Sequence, residues 1–251
     1  MTATVLCGSV SAIDQNQLVT AGFELYIFDD KFVAIRRAPS VQIYESETVF
    51  CAVSGVVYLP SDGESGFQQQ ADYMAMQFGR HGALAAAKVS GHYFCCIYDK
   101  LAASIYCYGD PMGGRRVFYI EQQCIVVFSS KLRVLKDLGI SKGLQNRKYH
   151  PFALVYGYYP FEQTIYADVC RADKSKMLVL SADGFTTSIR ETAPVITRLS
   201  TSVDRDAVID ELYQRLVDVV ASSLKDVQQV AVLLGGFDSA LVAALAKKSG
   251  R

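Results

Sequence analysis

Through roughly the first 190 positions, apolar residues come in short runs broken by polar turns. The chain opens on "TATVLCGSV", an apolar run of strand length. "FELYIFDDKFVAIRRA" reads as a hairpin turning at Asp29-Asp30-Lys31, and "HYFCCIYDKLAASIYCYGD" as a second turning near Asp99-Lys100. "RRVFYIEQQCIVVFSS" reads as a third, turning at Glu121-Gln122-Gln123, and "ETVFCAVSGVVYL" is a longer strand with an internal glycine. β-Branched and aromatic residues dominate these runs, which suits pleated surfaces with packed faces.

Helical spacing interrupts this pattern. Phe67 to Ala87 predicts one or two helices with Ala71, Met74 and Phe78 on one face and a break at Gly79 and Gly82. Lys131 to Leu138 predicts a short helix stopped by Gly139. Helices between antiparallel hairpins predict a layered α+β domain. The character changes at "IRETAPVITRLSTSVDRDAVIDE", where Pro194 and a Ser/Thr cluster predict a linker and Asp204 a helix cap. The next helix carries Val208, Ile209, Leu212, Leu216, Val220 and Leu224 as an apolar stripe. A strand over Val230–Leu234, a tight glycine turn and a helix over Ser239–Lys248 complete the reading.

Composition narrows the class. The 251 residues are 51% hydrophobic and 20% charged with a net charge of +0, a globular balance that gives no support for a nucleic-acid groove or a polybasic membrane face. Seven scattered cysteines without a CxxC pair fit buried free thiols in a reducing compartment better than a disulfide framework. Cys95 and Cys96, adjacent on a strand, point to opposite faces and cannot join. His81, His92 and His150 lack metal-ligand spacing, so no metal site is expected. No signal peptide and no 18-residue apolar span is visible, which makes a cytoplasmic location the expectation.

The glycine turn "VLLGGFDSALVAALA" carries the plainest chemistry. Backbone N–H groups at a helix start, approached through Gly235 and Gly236, suit phosphate oxygens, and Ser239 can add a hydroxyl. Asp238 fits either a magnesium-bound water or the fixing of the turn. An ordinary strand–helix turn built of small residues is the competing reading. The spacing is neither that of a P-loop nor that of a dinucleotide fingerprint.

This turn resembles the pyrophosphate-binding loop of the asparagine synthetase family, with Leu234 standing where that family has its first Ser. Upstream, "KVSGHYFCCIYD" (88–99), "CYGDPMGGRRVFY" (107–119), "VVFSSKLRVLKDL" (126–138) and "VYGYYPFEQTIYADVCRADKSKMLVL" (155–180) resemble family segments in the right order. The resemblance implies a four-layer αββα sandwich of the Ntn-hydrolase type over residues 1–195, similar to class 2 glutamine amidotransferases. It implies an incomplete α/β ATP-pyrophosphatase segment, of the adenine-nucleotide alpha-hydrolase type, over 204–251. ATP with Mg2+ at Gly235, Gly236, Asp238 and Ser239 is the implied cofactor set. The implied activity is ATP-dependent amide ligation, inactive in the isolated chain, with a second chain supplying the rest of the synthetase domain or a homodimer as partners.

In glutamine-hydrolysing members an amino-terminal Cys attacks the amide, with its own amine as base. Cys7-Gly8 resembles that opening but stands behind "MTATVL". Ser54 and Val56 replace the Asn and Glu of the family's glutamine-pocket segment, whereas Gly55 and Tyr58 remain. A buried, unreactive Cys7 and a degenerate glutamine pocket at Ser54, Gly55 and Asp110 are therefore expected. This is the pattern of the β-lactam synthetase and lasso-peptide cyclase branch. Asp110 and Arg115-Arg116 around Gly113-Gly114 read as a turn near that pocket, or as a capped β-turn with a solvated basic rim. Tyr156, Tyr158 and Tyr159 read as packing residues at a domain boundary, with a ligand site as the alternative. Three functions compete: amide ligation, glutamine hydrolysis by Cys7 after processing, and a non-catalytic interaction module or decayed gene product.

Overall fold

The computed structural model describes residues 4–59, 70–82, 89–122, 125–189, 204–224 and 229–249. The predicted strands pair into two six-stranded antiparallel sheets. The first contains β1 (Thr4–Ser9), β2 (Glu24–Phe28), β3 (Lys31–Arg36), β8 (Phe118–Gln122), β9 (Ile125–Ser129) and β10 (Cys170–Arg171), in the order β10-β8-β9-β1-β3-β2. The second contains β4 (Val41–Glu45), β5 (Val49–Val57), β6 (Gly91–Asp99), β7 (Ser104–Gly109), β11 (Lys176–Ser181) and β12 (Gly184–Ile189), in the order β12-β11-β7-β6-β5-β4. The turns foreseen at Asp29-Asp30 and after Asp99 join β2 to β3 and β6 to β7. The third predicted turn falls partly on residues 123 and 124, outside the described residues.

Why the central strands read as unbroken apolar runs is clear from their two faces. On β6, Phe94, Cys96 and Tyr98 point into the layer between the sheets, where they meet Val5, Cys7, Val33 and Ile35 of the first sheet. The alternating residues Tyr93, Cys95 and Ile97 point outward onto Ala71, Met74 and Phe78 of α2 (Gln70–His81). The outer face of the first sheet, through Leu6, Phe32 and Val127, is covered by Leu18 of α1 (Gln15–Thr20) and by Val134 and Leu135 of α3 (Leu132–Asp137). The order helix, sheet, sheet, helix is the αββα sandwich expected from the sequence. Strands covered on both faces have no polar side to show. Each fully buried Val, Leu or Phe side chain contributes about 1.5–3 kcal/mol.

The described cysteines are free, and five of the six are buried. Cys95 and Cys96 do face opposite layers, with Cys95 Sγ 3.9 Å from Cys51 Sγ. One expectation fails locally: α2 runs through Gly79, because its apolar face stays packed on the sheet, and it ends only at Gly82. Burial of a helix face outweighs the cost of one internal glycine, about 1 kcal/mol.

The residues through Ile189 form one compact unit, and those from Asp204 onward belong to a second. In the second, the Asp204 carboxylate caps α5 (Arg205–Leu224), accepting from the N–H groups of Asp206 and Ala207 at 3.0 and 3.4 Å. α6 (Phe237–Lys248) follows, and its Lys248 ammonium donates to the Tyr213 hydroxyl of α5 at 3.2 Å. Here the sequence reading needs correcting. Val230–Leu234 pairs with no strand among the described residues, and the helix begins two residues before Ser239. The described part of 204–249 is a helix pair and not the expected α/β segment. A strand needs a neighbour's backbone groups, and none is presented to this one. No position of the apolar stripe of α5 is fully buried: Val208, Ile209 and Leu212 are exposed and Leu216, Val220 and Leu224 half-buried, while Leu233 and Phe237 are 93% and 96% exposed. No described helix is long and apolar enough to cross a membrane.

Candidate functional site

Cys7 sits in the middle of β1, opposite Val33 on β3 and Phe128 on β9. Its side chain is 0% exposed and lies in the layer between the sheets. Burial pushes its thiol pKa well up, and its contact with the Cys107 thiol pushes the same way. A thiol held protonated is not a nucleophile, because the thiolate is the attacking species. Its nitrogen is an internal amide of β1, so no amine stands beside it to act as base.

Ser54 and Gly55 lie on β5, opposite Phe94 and Tyr93 of β6. Ser54 is buried within the sheet. Gly55 has φ +125°, and a Cβ there would stand 2.2 Å from the His92 carbonyl oxygen, so its glycine character serves a close approach of two strands. Its N–H donates to Ser40 O at 2.8 Å.

Asp110 is also fully buried, and its carboxylate organises the turn after β7. One oxygen accepts from the N–H groups of Met112 and Gly114, both at 3.1 Å, and the other from Arg115 N at 2.6 Å. The capped β-turn is thus the correct reading of this segment, and the turn explains the neighbouring glycines. A Cβ on Gly109 would stand 2.0 Å from Arg115 O.

The turn forms one wall of a cavity of about 280 Å³. Arg115, Arg116, Arg171, Lys174 and Lys176 line it, together with Asp110, Asp173, Tyr158 and Phe161. Sequence reasoning found the two arginines of the turn but missed Arg171, Lys174 and Lys176, because the fold rather than the spacing brings them together. Tyr158 lines this cavity, in line with the ligand-site alternative, whereas Tyr156 stacks on Phe152 and Tyr159 meets His150. Tyr156 and Tyr158 are exposed. A larger cavity, about 790 Å³, lies beside α2 between Asp72, Phe78, Asp99 and Tyr106. Neither cavity is lined by Cys7, Ser54 or Gly55, and only Asp110 of the foreseen glutamine-pocket residues borders one.

At the glycine turn, the Ser239 hydroxyl accepts from Gly235 N at 3.0 Å and Gly236 N at 3.2 Å, and donates to Gly236 O at 2.9 Å. Two of the turn's backbone donors, Gly235 N and Gly236 N, are thus taken up by the turn itself. Leu234, where the resemblance expects a hydroxyl, is exposed and apolar.

A profile of the glutamine amidotransferase domain family matches residues 63–190, just over half of the chain. The chain belongs to the glutamine amidotransferase domain family. This match names the amidotransferase domain in general and does not single out the asparagine synthetase branch. It begins downstream of Cys7, Ser54 and Gly55, so the match does not include them. No curated protein matches the chain in sequence. Among solved structures, the glutamine phosphoribosylpyrophosphate amidotransferase from B. subtilis, complexed with ADP and GMP, is similar over 98% of this chain and 58% of its own, at 12% identity and TM-score 0.46. A structure titled as the allosteric regulatory enzyme of purine biosynthesis is similar over 97% of this chain and 57% of its own, at 11% identity and TM-score 0.46. A glutamine aminotransferase class-II domain protein from Silicibacter pomeroyi is similar over 77% of this chain and all of its own, at 10% identity and TM-score 0.40. The chain therefore spans less than two thirds of the first two structures.

Proposed function

We propose that this chain is a glutamine amidotransferase-type domain that does not hydrolyse glutamine, and that serves as a folded, non-catalytic module. The observation that carries this reading is the position of Cys7 within β1. An amino-terminal nucleophile needs a free amine and an approachable thiolate. Cys7 has a strand on either side and sheet in front, and Thr4, Val5 and Leu6 before it are themselves fully buried. Freeing the amine by removing "MTATVL" would take Val5 out of the layer between the sheets and Leu6 out of the layer under α1 and α3. Processing would therefore dismantle the strand that holds the nucleophile. The glutamine pocket supports the same reading: Ser54 is buried in a β-ladder, and Asp110 is committed to three backbone amides. ATP-dependent ligation is not part of this reading: Ser239 takes two of the glycine turn's donors, and Leu234 stands where the resemblance expects a hydroxyl.

The test is intact mass together with ammonia release from glutamine by the purified full chain. We expect Cys7 to remain internal and ammonia to stay at the level of a Cys7→Ala variant. A species beginning at Cys7 that releases ammonia, with the release lost in Cys7→Ala, would restore the glutaminase reading.

A further inference from the structure

The basic cavity beside the Asp110 turn is independent of the Cys7 site, and its chemistry is unused by the function above. Five cationic side chains face it, namely Arg115, Arg116, Arg171, Lys174 and Lys176, against two lining carboxylates. Both carboxylates are engaged elsewhere. Asp110 is saturated by backbone amides, and Asp173 accepts from the backbone N–H and the hydroxyl of Ser175. Glu162 stands nearby and pairs with Lys176 at 2.7 Å, so five cationic side chains stand against three carboxylates. Nε of Arg115 is buried without a hydrogen-bond acceptor among the described residues. An unpaired buried donor of this kind is costly unless an acceptor meets it. Burial lowers the pKa of Arg171 and the nearby Arg116 charge lowers it further, against the Asp173 and Glu162 carboxylates, which raise it.

The rim adds a second kind of chemistry. Phe161 lines the cavity, is 83% exposed, and has φ +53°, a region that bulky residues rarely occupy. Arg171 holds it there by donating from Nη2 to Phe161 O at 2.8 Å. A cavity cation thus holds the backbone of an exposed aromatic residue at the edge of the cavity, and Tyr158 borders the same space.

We propose that this cavity binds the phosphate group of a small phosphorylated molecule, with Tyr158 and Phe161 taking a flat apolar portion of the same ligand. A doubly charged phosphate answers the cationic excess better than a carboxylate does, and its several acceptor oxygens match converging guanidinium and ammonium donors. A single small cavity on a chain of zero net charge favours a small ligand over a nucleic-acid strand.

Titration calorimetry of the full chain at low ionic strength tests this, with inorganic phosphate and phenyl phosphate as probes. Saturable binding of both is expected, with phenyl phosphate tighter by about fivefold or more. Arg116→Gln with Lys174→Gln, both at exposed positions, should weaken both ligands by about tenfold or more while leaving the melting temperature unchanged. Phe161→Ala should abolish only the advantage of phenyl phosphate. Absence of saturable binding, or unchanged affinity in the double variant, overturns the site. Equal affinity of the two probes for the unsubstituted chain overturns the stacking half of the assignment.

Discussion

In the first unit, β1, β5, β6 and β9 each have neighbours on both edges and covered faces, and Val5, Phe94 and Val127 are buried where the alternation places them. In the second unit, α5 carries an equally regular apolar stripe and Val230–Leu234 an equally apolar run, yet the stripe is exposed at its start and only half-buried beyond, and the run pairs with nothing among the described residues. Local pattern is similar in the two, and the outcome differs because burial requires a surface to be buried against. The same contrast governs the chemistry. Cys7 keeps its motif but is sealed by the completeness of its sandwich, whereas Gly235–Ser239 keeps its motif but turns two of its donors onto its own Ser239 hydroxyl. A motif becomes a site only when its surroundings leave it both held and open.

This contrast can be broken from either side. The largest effect should come from deleting residues 1–6. Loss of the buried Val5 and Leu6 side chains should cost about 3–6 kcal/mol in urea unfolding, and a native-like midpoint would mean that β1 is dispensable. Asp110→Ala should cost about 3 kcal/mol, since three backbone N–H groups lose a charged acceptor; a loss under about 1 kcal/mol would show that the turn holds itself.

Smaller effects sharpen the comparison. Burial raises the thiol pKa values of Cys7 and Cys51, and the hydrogen bond to Cys7 followed by burial raises that of Cys96. A folded value above the unfolded one, near 8.5, means that these thiols contribute fully below that pH and progressively less above it. Stability should therefore fall above about pH 8.5, by about 1.4 kcal/mol per thiol at pH 9.5. Chemical denaturation across pH 7–10 checks this, and a flat profile contradicts it. Smallest of all, Leu212→Ser on the open face of α5 should move the main unfolding transition by no more than about 0.5 kcal/mol. A larger shift would show that this face is covered in the native protein.

The hairpins and the layering were legible because alternation and turn residues are local. So were the cap at Asp204 and the opposed faces of Cys95 and Cys96. The short helix α1 and α4 (His150–Tyr156) escaped notice, being too brief to show a period. The edge strand β4 has no buried residue, which leaves its alternation without contrast. The basic cavity was illegible for a different reason. Arg115 and Lys176 lie far apart in the chain, and the pairings of β10 with β8 and of β11 with β7, together with the bond from Ala172 N to Val117 O, bring their turns together. Ser54 and Gly55 read as pocket residues because of what they resemble, and both also have a structural duty in the β5–β6 ladder.

The most direct measurement is the reaction of Cys7 with an electrophilic glutamine analogue in the folded full chain, followed by peptide mapping in native buffer and in denaturant. The account predicts no modification of Cys7 in native buffer and ready modification once the sandwich unfolds. Stoichiometric modification of Cys7 in the native protein, competed by glutamine, would contradict it.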